Sequence, residues 1–141
     1  MIENQPNEIT LIFHSDKEED KKTRAYVETL EDYAIKTLDL KRERLTETQL
    51  AEVADKLGVS VGSLVDDHYS DRVKIESVKG LRDQDTLKLL ANDPILLATP
   101  ILIIGKHAYQ FESSYAFIHQ AAAIRGMHGN PAANVEEKND S

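Results

Sequence analysis

The chain has no cysteine among its 141 residues. That absence excludes disulfides, zinc–thiolate sites, iron–sulfur clusters and any cysteine nucleophile supplied by this chain. Long apolar runs are also missing, and no window approaches the ~18 consecutive apolar residues of a membrane span. The opening residues, Met1-Ile2-Glu3-Asn4-Gln5-Pro6, lack the basic and apolar regions of a secretory signal, so the expected location is the cytoplasm. Glycine is sparse, at 6 residues, and forms neither a G-x-G-x-x-G nor a P-loop, which excludes a phosphate cradle of that kind. Positive charge is in deficit. With 17 Lys and Arg against 25 Asp and Glu the formal net charge is −8, which works against non-specific binding to nucleic acid or anionic lipid. The five histidines, His14, His68, His107, His119 and His128, never stand at i, i+4 with an acidic partner. No metal-ligand spacing results, no cofactor is implied, and isolated surface or core-edge positions account for them.

What is present fits one soluble domain with one core: 40% hydrophobic and 30% charged residues. That domain is expected over residues 1–126. Residues 127–141 are Gly, Asn, Pro, Ala and charge, unable to bury enough area to offset ordering entropy, and are expected to be a disordered tail. The longest apolar run lies within residues 94–111. Ile101 to Ile104 reads as a strand buried on both faces, Gly105-Lys106 as a two-residue turn, and His107 to Phe111 as its antiparallel partner, with Pro100 at the mouth where a cis peptide can be kept.

In chain order, Glu8 to Phe13 predicts a first strand closed by His14. Ser15 followed by Glu18 fits a capping box, placing a helix start near Asp16. Lys17 to Arg24 is almost wholly charged, so this helix is expected to project its start into solvent and pack through Ala25, Tyr26, Val27 and Leu30. Ala34 to Leu40 predicts a second strand at a sheet edge. Thr46 to Gln49 is another capping box, followed by Leu50, Val53, Ala54 and Leu57 at helical spacing and by Gly58. Ser60 opens a short helical segment through Val65, residues 71–80 read as a loop or poorly formed helix end, and Arg82 to Asn92 as a helix stopped at Pro94. Ser113 or Ser114 caps a last helix through Tyr115, Phe117, Ile118, Ala121, Ala122 and Ile124. A βαβ unit, a helical insert, a hairpin and a closing helix around one core give an α/β fold, a thioredoxin-like mixed four-stranded sheet flanked by helices.

Three marks resemble the arsenate reductase (ArsC) family, the glutaredoxin-like group that also holds the Spx regulators, over roughly residues 8–124. They are Ile12-Phe13-His14 before the first helix, where the family has Ile-Tyr-His-Asn-Pro; Leu57-Gly58-Val59-Ser60-Val61 in the insert; and Asp93-Pro94-Ile95-Leu96-Leu97-x-x-Pro100-Ile101, similar to His-Pro-Ile-Leu-x-x-Arg-Pro-Ile. The resemblance implies former active-site positions at His14, Ser15, Glu18, Lys21, Asp66, Thr99 and Pro100. The family's reactive cysteine falls on Glu18 and the residue three further on is Lys21. The oxyanion-holding arginines fall on Asp66, Thr99 and Gln110, and Asp66 would repel an arsenate. Pro100 would be the cis proline.

A carboxylate in place of the thiol can neither attack as a soft nucleophile nor form a mixed disulfide, so no catalytic residue is assigned. The leading expectation is a non-catalytic ArsC/Spx-like protein with a protein-binding or regulatory role. Likeness to Spx implies a partner such as RNA polymerase. The rival is an enzyme using His14 or Glu18 as a general base in the same cleft; the third is a purely structural or oligomeric role. His14 is expected to hydrogen-bond a backbone group, and the charged run from Lys17 to Lys22 to be a solvated face of i, i+3 and i+4 pairs. Tyr109, Phe111, Tyr115 and Phe117 lack the interleaved basic residues of a nucleic-acid stacking surface and are expected to fill core.

Overall fold

A computed structural model describes residues 7–111 and Ala116. The helix expected after Ser113 or Ser114 and the tail expected from residue 127 lie outside the described residues. Four strands form one mixed sheet in the order β2-β1-β3-β4. Strand β1 (Glu8–Phe13) runs parallel to β2 (Ala34–Asp39) and antiparallel to β3 (Ile101–Ile104), and β3 pairs antiparallel with β4 (His107–Gln110). The register sets Leu11 opposite Leu102 and Leu102 opposite Tyr109, so the two central strands meet through apolar residues.

The two-residue periodicity of a strand sorts side chains onto two faces. Ile9, Leu11 and Phe13 of β1, with Leu102 and Ile104 of β3, pack against Val27, Tyr26 and Leu30 on one side of the sheet. Ile12, Ile101 and Ile103 face the other way, into a larger cluster with Leu50, Val53, Leu64, Ile75, Val78 and Leu90. All four residues of β3 are buried, as expected for a strand covered on both faces. The edge position of β2 leaves Ala34 and Lys36 exposed. Gly105 takes φ 58° in the β3–β4 turn, a left-handed conformation that favours glycine.

Helix α1 (Glu18–Val27) begins two residues later than the Ser15–Glu18 pattern predicts, and Lys17 at its N-cap makes no side-chain cap. The capping box fails because Ser15 is engaged elsewhere: its backbone N–H donates to Asp39 Oδ1 at 3.0 Å, across to the end of β2. The expectation that the first turns stand in solvent also needs correction. Asp20 and Thr23 are buried with Val27, a stripe at i, i+3 and i+7, while Ala25 is exposed. Helix α1 therefore packs along its whole length.

Helix α2 (Glu47–Leu57) has the capping box read from the sequence. Thr46 Oγ1 accepts from the Gln49 N–H at 3.1 Å, and Gln49 Oε1 accepts from the Thr46 N–H at 2.9 Å. Gly58 ends it at φ 71°. A 3-10 turn at Val61–Leu64 follows. Within residues 71–80, expected to be a loop or a poorly formed helix end, lies α3 (Arg72–Val78), started by the Asp71 side chain accepting from the Lys74 N–H and held by buried Ile75 and Val78. With two buried apolar positions and an exposed Val73, its amphipathic pattern was too short to show. Helix α4 (Asp83–Asn92) and a 3-10 turn at Pro94–Leu96 lead into the Thr99–Pro100 peptide, which is cis.

Candidate functional site

A cleft of ≈ 560 Å³ opens between the start of α1, the segment Ser63 to His68, the Ala98–Thr99 loop, and Gln110 with Phe111. Of the positions implied by resemblance, it brings together Glu18, Asp66 and Thr99, with Gln110 beside them. His14, Ser15, Lys21 and Pro100 lie outside the cleft lining.

Each cleft position is engaged by another group of the protein. Glu18 stands at the first helical residue, 76% exposed, and pairs with Lys21 at 2.9 Å, which holds its pKa below the ordinary value. An exposed i, i+3 pair of this kind, screened by water, contributes little to stability. Asp66 Oδ2 accepts from Lys17 Nζ at 2.8 Å, in a pair whose side chains are 15% and 18% exposed for Lys17 and Asp66. The same ammonium donates to the Leu97 carbonyl at 2.9 Å. The Thr99 hydroxyl donates to Asp20 Oδ2, and Gln110 Nε2 donates to the Ala98 carbonyl at 2.7 Å.

Asp20 is the least exposed carboxylate of the site, at 1%. Burial raises its pKa, and the bonds from the Thr99 hydroxyl and the His14 N–H together with the nearby Lys17 charge only partly offset this. Its contact with the His14 N–H, at 2.9 Å, ties α1 to the end of β1. The His14 ring is buried at 6% exposure, and its Nδ1 accepts from the Asp16 N–H at 3.2 Å, the backbone role expected of it. Burial lowers the pKa of the imidazole, with smaller opposing effects from nearby carboxylates. Asp39 runs the other way: burial pushes its pKa up, but the Ser15 hydroxyl and the Lys41 and Ser15 N–H groups outweigh that and leave it depressed.

Lys17 and Asp20, expected on a solvated face, His68, expected to be an isolated histidine, and Asp67, which was assigned no role, all line the cleft, and Asp20 is buried. For Asp20 a signal existed in its i, i+3, i+7 relation to Thr23 and Val27. Lys17 gives none, because its partners are 49 and 80 residues away in the chain. The lining holds no arginine and no thiol, and its single lysine is already bonded. An oxyanion entering it would meet the carboxylates of Glu18, Glu19, Asp20, Asp66 and Asp67. Among the described residues no group of three or more His, Asp or Glu could hold a metal ion, and no helix is long and apolar enough to cross a membrane.

Solved structures share this architecture. Arsenate reductase from Vibrio cholerae superimposes with a TM-score of 0.68 at 14% identity, covering 82% of this chain and 98% of that one. A Staphylococcus aureus protein solved by NMR matches with a TM-score of 0.61 at 16% identity, over 79% and 96% of the two chains. An arsenate reductase (ArsC) related protein from Brucella melitensis matches with a TM-score of 0.58 at 17% identity, over 77% and 89%. No family model matches the sequence, and no curated protein does. Likeness at these identities establishes the fold: a thioredoxin-like α/β domain of the kind found in arsenate reductases, built here without cysteine.

Proposed function

We propose that this chain is a non-catalytic member of the ArsC/Spx group that uses the reductase scaffold in the cytoplasm to bind a protein partner in a regulatory role. The observation that carries the proposal is the absence of any cysteine, with Glu18 standing at the first residue of α1. That is where the resemblance puts the reactive thiol. The positions that would clamp an oxyanion add support. Asp66, Thr99 and Gln110 each bond to a group of the protein itself, and none offers a fixed positive charge.

The rival use of Glu18 or His14 as a general base finds little support. A base is most effective with a pKa near the working pH, whereas Lys21 depresses that of Glu18. His14 lies outside the cleft lining, and its Nδ1 lone pair is taken by the Asp16 N–H.

An assay with arsenate, glutathione and glutaredoxin is expected to give no turnover above background. Turnover that disappears in Glu18→Gln or His14→Asn would replace the binding proposal with the enzymatic one. For the binding arm, immobilised wild type and a Glu18→Lys/Asp67→Lys variant are exposed to the same cytosolic extract. A partner kept by the wild type and lost by the variant supports the proposal; identical profiles count against the cleft as the binding surface.

A further inference from the structure

Lysine is a poor choice for the N-cap of α1. Ser, Thr, Asp and Asn are preferred there because their oxygens accept from the free N–H groups, and a cation at this end opposes the helix dipole. Lys17 provides no cap, and its backbone is extended, at φ −99° and ψ 121°. What the residue does instead is send its ammonium into the cleft. There it donates to Asp66 Oδ2 at 2.8 Å and to the Leu97 carbonyl at 2.9 Å. The charge of Asp20 also acts on this region, since Lys17 is among the groups that lower the Asp20 pKa. The receiving groups come from two different parts of the chain, and their placement does not depend on Lys17 alone. Asp66 donates its N–H to the Leu96 carbonyl at 2.7 Å, Ala98 donates to the Leu64 carbonyl at 2.7 Å, and Val65 and Leu97 form an isolated antiparallel bridge. The bridge sets the backbone beside Asp66 against Leu97, the His68 N–H donates to Asp66 Oδ1 at 3.0 Å, and Asp66 Oδ2 and the Leu97 carbonyl both accept from Lys17.

We infer that Asp66 and the Leu97 carbonyl form a binding niche for a primary ammonium group, and that Lys17 is its tethered occupant. A primary ammonium suits the niche because it brings three donors on one compact charge. A guanidinium is planar and forked, and a quaternary ammonium has no donor. The inference stands whether or not the cleft receives a protein partner, because it concerns only these groups of the chain.

The test removes the occupant and offers a substitute. Amide resonances of Asp66, Leu97 and Ala98 are followed by NMR in the full chain while n-butylammonium chloride is added, with 1-butanol and tetramethylammonium chloride as controls. The wild type is expected to show no saturable change. Lys17→Ala is expected to show saturable changes with butylammonium alone, and Lys17→Ala/Asp66→Asn to bind it about ten-fold more weakly or less, since a bond to a charged acceptor is lost. If Lys17→Ala is unfolded, recovery of native circular dichroism with butylammonium, but not with butanol, supports the niche, and no recovery overturns it. The inference is also overturned if the folded variant does not bind, if the controls act equally, or if the wild type binds as tightly as the variant.

Discussion

Asp20 and His14 are hydrogen-bonded to each other yet should respond to pH in opposite senses. The folded-state pKa of Asp20 lies above its ordinary 3.8, so the native state takes up a proton before the unfolded chain does. Relative to Asp20→Asn, the wild type should gain stability as pH falls from above the folded pKa toward 3.8, and gain nothing further below it. His14 has a lowered pKa, so the stability it contributes is complete above 6.5 and is lost as pH falls through its folded value. Urea denaturation of wild type, Asp20→Asn and His14→Asn across this range should separate the two slopes, and slopes of the same sign would contradict the assignment. Asp20→Ala should be less stable than Asp20→Asn, by about 1–3 kcal/mol, because it leaves the buried His14 N–H and the Thr99 hydroxyl without an acceptor. At this scale the sequence was legible only in part. Glu18, Asp66 and Thr99 were implied as neighbours by the family resemblance, but Lys17 and Asp20 were hidden in a charged run whose meaning depends on residues brought in by the fold.

Among the elements, α2 shows how far local chemistry reaches. Its cap, its apolar stripe and its terminating glycine are all encoded within 13 consecutive residues, Thr46 to Gly58, and each appears in the structure as the sequence implies. Thr46→Ala should cost about 1 kcal/mol through loss of the cap. Gly58→Ala should cost about 1 kcal/mol through the left-handed backbone alone, since an added Cβ there meets nothing within 4 Å. Chemical denaturation measures both, and a Gly58→Ala loss several-fold larger would point to a steric clash that the geometry does not contain. Helix α1 is the contrasting case. Its Ser15–Glu18 pattern is as good a local signal as Thr46–Gln49, but Asp39 on a neighbouring strand captures the Ser15 N–H, and a contact distant in sequence decides where the helix begins.

The described residues form two apolar layers sharing one sheet, and β3 belongs to both. Leu102 packs into the layer with α1, and Ile103 into the layer with α2, α3 and α4. Leu102→Ala and Ile103→Ala should each cost about 2–5 kcal/mol, despite acting on opposite faces. Equilibrium unfolding should remain a single transition in both, because each layer rests on the same strands. The mixed four-stranded sheet was readable because an unbroken aliphatic run, a two-residue turn and a βαβ unit leave few ways to build one core. The polar ties across the cleft were not, since nothing local distinguishes a lysine that will be drawn inward from one that stays in water.

The position of β1 has a consequence for synthesis. Its partner on one side, β3, is made about 90 residues later, a wait of roughly 5–20 s at ordinary elongation rates. Throughout that interval the ribosome holds a chain whose first strand has one open edge and two apolar layers still missing the side chains of β3. Stalled nascent chains of increasing length should therefore bind a hydrophobic dye until Ile104 has cleared the exit tunnel, and lose it when the hairpin closes over Ile9 to Phe13.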